Sequence, residues 1–168
     1  MLMEELKARI KGKTMLVGIG NAMRGDDAAG PRLIAALEGK VEAALLDAGE
    51  MPEAYLGRIC QAAPETIVLL DAANLGAAPG AVAILDSAEL GSLGLSTHQM
   101  PLELLARYLR EQTGANVFAL GVQPRQLDFF AAVSPEVEET ISLVTKILIA
   151  ILHSKTAPET AAVLQGNS

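Results

Sequence analysis

Thr66-Ile67-Val68-Leu69-Leu70-Asp71 is apolar without alternation until its last residue. A strand with one wet face alternates polar and apolar side chains. A strand covered on both faces does not. Thr66, Ile67 and Val68 are β-branched, which favours extended backbone, and the run is shorter than an ordinary helix. The same pattern recurs on either side of it. Met15-Leu16-Val17-Gly18-Ile19-Gly20 reads as a buried strand, Ala43 to Asp47 as a second short strand ending in Asp47, and Val117 to Val122 as another apolar strand. Val82 to Leu85 reads as a short strand expected to pair back onto 66–71.

Helical segments fall between these strands. Pro31 to Leu37 and Pro52 to Ala62 each begin with a proline suited to a first helical turn. Pro101 to Gln112 places Leu102, Leu105 and Leu109 on one face, and Gly114 ends it. Ser134 is expected to cap a final helix from Pro135 to about Leu152, with Val137, Ile141, Val144, Ile147, Leu148 and Ile151 at helical spacing. Alternating strands and helices imply a single three-layer α/β domain over residues 1–153, a mostly parallel twisted sheet sandwiched by helices. Residues 154–168 mix Pro, Thr, Ala and Gln and are expected to be a mobile tail.

The composition narrows the function. Of 168 residues, 13 are basic and 20 acidic, a net charge of −7. Nucleic-acid binding needs clustered cations and is not expected. One cysteine, Cys60, allows neither a disulfide framework nor a zinc knuckle, and in its apolar helical setting it reads as structural. Aromatics are 3% and Trp is absent, which argues against a base-stacking platform. Met1 to Lys13 has no apolar stretch ahead of its charges and reads as neither signal peptide nor anchor. Ile141 to Leu152 is shorter than the ~20 residues a membrane span requires. A cytoplasmic, monomeric protein without membrane contact is the expectation.

In a parallel α/β sheet, sites lie beyond the carboxyl ends of the strands. Gly18-Ile19-Gly20-Asn21-Ala22-Met23 opens like a dinucleotide fingerprint, but Met23 stands where the third glycine belongs. Gly20 to Gly25 has phosphate-loop spacing, but Asp26-Asp27 follows where Lys-Ser/Thr belongs, and two carboxylates repel phosphate. This loop is built for a cation or for capping. Asp26 is expected to cap the helix that follows, and a cap needs only one carboxylate. Asp47 is a weak match to a ribose-binding acid. Asp71 ends its strand, where a turn role is as reasonable as a functional one. His98 lies in a loop ahead of Pro101, and His153 ends the last helix, where it can meet free carbonyls. Glu50, Glu53 and Glu103 read as solvated helix faces. Asp27, Asp71 and His98 together make an oxygen–nitrogen set able to hold a borderline divalent ion, although sequence distance alone does not assemble them. All three are expected to face a solvent-filled cleft.

These residues stand in a pattern that resembles a known family. Gly18-Ile19-Gly20-Asn21 followed by Gly25-Asp26-Asp27-Ala28-Ala29-Gly30 is similar to the opening of the NiFe-hydrogenase maturation endopeptidases. Leu70-Asp71-Ala72-Ala73 with Gly76 and Pro79-Gly80, Thr97-His98-Gln99-Met100-Pro101-Leu102, and Gly121-Val122-Gln123-Pro124 follow in the family's order. The similarity spans roughly Met15 to Ile151, and the last two motifs look closest to the branch that processes the formate-hydrogenlyase-type hydrogenase 3. The resemblance implies removal of a C-terminal extension from the hydrogenase large-subunit precursor after nickel insertion. It implies that nickel carried by the substrate is read through Asp27, Asp71 and His98, and that no organic cofactor takes part. Asp47-Ala48-Gly49 resembles an Asp-Gly-Gly stretch of relatives, with Ala48 in place of one glycine. No Ser-His-Asp, Cys-His or HExxH arrangement supplies a nucleophile, so the catalytic group is unassigned. The alternatives are a non-catalytic nickel-sensing chaperone of the same subunit and, more weakly, a nucleotide-binding domain.

Overall fold

A computed structural model describes residues 1–93 and 100–153. β3 (Thr66–Ala72) is buried at every position and is the middle strand of a five-stranded sheet. β1 (Thr14–Ile19) flanks it in parallel on one side and β5 (Asn116–Val122) on the other. β2 (Ala44–Gly49) extends the sheet beyond β1, also parallel. β4 (Val82–Leu85) closes the other edge, giving the order β2-β1-β3-β5-β4. β4 pairs antiparallel with β5, whereas the sequence suggested pairing with 66–71. β3 was never free to take it, because β1 and β5 occupy both of its edges.

Alternation along the central strands builds two cores. Met15, Val17, Ile67, Leu69, Val117 and Ala119 face one layer, with α3 (Leu56–Ala62), α4 (Ser87–Ser92) and α5 (Leu102–Thr113). Leu16, Val68, Leu70, Phe118 and Leu120 face the other, with α1 (Leu2–Arg9), α2 (Ala29–Leu37) and α6 (Pro135–Leu152). This is the expected single three-layer domain. No helix among the described residues is long and apolar enough to cross a membrane. The segment 154–168, read above as a tail, lies outside the described residues.

Local chemistry departs from expectation in three places. Pro52–Tyr55 is a 3-10 turn ahead of α3 rather than part of one helix. α1 buries only Leu6 and gives too weak a periodicity to be read from sequence. α4 begins at a capping box in which Asp86 and Glu89 each satisfy the other's backbone. Asp86 also takes both guanidinium nitrogens of Arg9, at 2.6 and 2.8 Å, which ties α1 to the far edge of the sheet.

Candidate active site

The chain turns outward from β1 in both directions. It reaches β2 on one side and β3 on the other, so the switch point lies between the carboxyl ends of β1 and β3. Asp27 follows β1 in a 3-10 turn, Gly25–Ala28, which packs against β3. Asp71 is the second-last residue of β3. The fold therefore brings these two to one edge of the sheet. Asp71 alternates with Ile67 and Leu69, so it lies on the face covered by α4 and α5. His98 lies outside the described residues, in the segment between α4 and α5. Among the described residues no three potential ligands form a metal cluster.

Neither carboxylate faces a solvent-filled cleft. Asp27 is 1% exposed and Asp71 2%. The cause at Asp27 is backbone packing. Gly20, at φ 137°, brings its Cα so close that a Cβ would stand 2.0 Å from the Asp27 carbonyl oxygen. Behind it, a Cβ on Gly30 would meet the carbonyl oxygens of Ile19 and Leu70 at 2.3 and 2.5 Å. These two glycines let the turn and α2 settle onto the strand ends, carrying Asp27 inward. The Asn21 N–H donates to Asp27 Oδ2 at 2.8 Å. Asp27 Oδ1 is buried and has no hydrogen-bond partner among the described residues.

Asp26 is built differently. It is fully buried but does not cap α2, as the sequence suggested. Its Oδ1 accepts from the Ser134 N–H at 2.7 Å. Its Oδ2 accepts from the Ser134 hydroxyl at 2.7 Å and from the N–H groups of Arg125 and Gln126 at 2.8 and 3.2 Å. Burial pushes this carboxyl up, but the donors of Ser134, Arg125 and Gln126 outweigh it and hold it below its ordinary 3.8. Ser134 stands ahead of α6 without making a side-chain cap, because its hydroxyl is committed to Asp26. The capping reading failed because Asp26 bonds residues about a hundred positions away, which local patterns do not show.

The remaining candidates are peripheral. Asp47 is exposed and accepts from the Gly49 N–H at 3.1 Å as a turn residue. The positive φ of that turn, 58°, is at Gly49, so Ala48 is accommodated. A cleft of about 240 Å³ lies beside it, lined in part by Gly20, Asn21, Asp47 and Glu50. Glu50 is exposed and accepts from Asn21 Nδ2 at 3.3 Å. Glu53 is not a solvated residue as read, since its Oε2 is buried without a hydrogen-bond partner among the described residues. His153 Nδ1 is 3.0 Å from the Ala150 carbonyl, the helix-end role expected of it. Cys60 is half-buried in α3.

A sheet wound outward from a switch point that holds two buried carboxylates makes this a doubly wound α/β domain. The hydrogenase maturation protease family (HycI) matches residues 31–151. The Escherichia coli K12 hydrogenase 3 maturation protease is 32% identical over 133 residues, covering 77% of this chain and 85% of that one. The crystal structure of the NiFe-hydrogenase maturation protease HycI from Thermococcus kodakarensis superposes with a TM-score of 0.81 at 33% identity, covering 88% of this chain and 98% of that one. The solution structure of the E. coli endopeptidase HycI gives 0.76 at 30%, covering 83% and 90%. The chain belongs to the hydrogenase maturation protease family and is an endopeptidase of hydrogenase maturation. The non-catalytic chaperone and the nucleotide-binding domain are set aside.

Proposed function

We propose that the protein removes the C-terminal extension of the NiFe-hydrogenase large-subunit precursor after nickel insertion. In this reading the nickel carried by that substrate is recognised through Asp27, Asp71 and His98. The observation that carries the proposal is Asp27 Oδ1, a buried carboxylate oxygen without a hydrogen-bond partner among the described residues. A buried acceptor left unmade costs about 1–3 kcal/mol, and more when charged, so a fold that keeps one has a use for it. A divalent cation arriving with the substrate satisfies that oxygen. Asn21 meanwhile holds the other oxygen and fixes the carboxylate's orientation.

The placement of the other two residues supports the same set. Asp71 lies on the α4/α5 face of β3, and the segment carrying His98 joins those two helices. The nickel then docks the precursor at the switch point and can polarise the scissile carbonyl as a Lewis acid. The test is a mass measurement on nickel-loaded precursor. Wild-type protein and Cys60→Ala should both remove the extension at similar rates, and Asp71→Asn should remove none. Normal processing by Asp71→Asn contradicts the ligand set.

A further inference from the structure

The chain has five aromatic residues, of which three are phenylalanine. Phe118 is fully buried, whereas Phe129 and Phe130 are 62% and 80% exposed. The loop that displays them is firmly held. Asp26 grips it at Arg125, Gln126 and Ser134. The Gln126 side chain accepts from the Asp128 N–H and donates to the Ala132 carbonyl. Arg24 Nε donates to the Leu127 carbonyl at 3.0 Å, and its guanidinium lies 5.6 Å from the Phe129 ring centre. The Phe130 N–H donates to the Met23 carbonyl at 2.7 Å, with Phe130 at φ 63°, an unusual conformation for a bulky residue. Met23 is itself 59% exposed. The two loops therefore present a fixed apolar ridge of Met23, Phe129 and Phe130. Rigid exposed aromatics of this kind lose little freedom on binding and commonly anchor protein interfaces.

We propose that this ridge docks an apolar patch on the folded large-subunit precursor, beside the site that receives its extension. This rests on the function proposed above. Two observations select such a partner. The cations of these loops are engaged, Arg24 with Leu127 and Phe129 and Arg125 with Glu136, and Asp128 is exposed beside them. Together with the net charge of −7, this disfavours an anionic membrane or nucleic acid. The loop that carries the ridge is also anchored next to the site, because Asp26, which accepts from Arg125, Gln126 and Ser134, is the chain neighbour of Asp27.

The test measures binding separately from cleavage. Nickel-loaded precursor is titrated against wild type, Phe130→Asn and Phe129→Ser/Phe130→Asn. Asn tolerates a positive φ, so the single variant should keep the wild-type Tm. The double variant should bind at least tenfold more weakly and show a raised KM with kcat little changed. If wild type binds without cleaving and the variants bind weakly, the proposed function fails and the ridge stands. Wild-type affinity in both variants overturns the ridge. So does a wild-type dimer that becomes monomeric in the double variant, which would make it a self-interface.

Discussion

Asp26 and Asp27 are adjacent, identical and equally buried, yet they do opposite work. Asp26 is saturated with donors and holds the β5–α6 loop to the β1 loop. Asp27 keeps one oxygen unmatched among the described residues. Replacing Asp26 with Asn removes an acceptor from buried donors and should cost about 3 kcal/mol, a Tm loss of roughly 10 °C. Asp27→Asn removes a poorly satisfied buried charge, so Tm should hold or rise while processing is lost, the trade-off expected of a functional group. Calorimetry and a cleavage assay on both variants check this, and a large Tm loss in Asp27→Asn would make that residue structural. The pH dependence follows from the lowered Asp26 carboxyl. Its stabilisation is present above the ordinary 3.8 and is lost as pH falls from there through the lower folded value. Asp26→Asn should therefore flatten the acid limb of the Tm–pH curve.

Among the elements, α2 depends most narrowly on one residue. Gly30 lies against the backbone oxygens of Ile19 and Leu70, which cannot rotate away as a side chain would. Gly30→Ala should displace the start of α2 and cost about 3 kcal/mol, with processing reduced because Asp27 moves too. A variant with wild-type Tm and activity would show that the helix slides freely. The central strands were legible because burial on both faces writes itself as an unbroken apolar run, as in Ile67 to Leu70. α5 and α6 were legible from helical spacing. α1, with Leu6 alone buried, carried no such signal. α4 did carry one, since Asp86-Ser87-Ala88-Glu89 has the capping-box spacing. The partner of β4 was not legible, because an edge strand's neighbour is set by which edge remains open.

At the scale of the whole molecule, the sheet order matters more than any single contact. It puts β1 and β3 side by side, so residues 44 positions apart in sequence meet at one switch point. The sequence indicated Asp27 and Asp71 as strand-end carboxylates, but not that both would be buried, Asp27 by the packing around Gly20 and Gly30. Nor did it indicate that Asp26 would reach across to Ser134, since hydrogen bonds at that separation leave no local pattern. The central claim is that the enzyme reads nickel carried by its substrate, and one measurement tests it directly. Purified protein is mixed with nickel-loaded large-subunit precursor, or with metal-free precursor in chelator throughout, and precursor mass is followed over time. The account expects loss of the C-terminal extension only from the nickel-loaded precursor. Efficient cleavage of the metal-free precursor would contradict it.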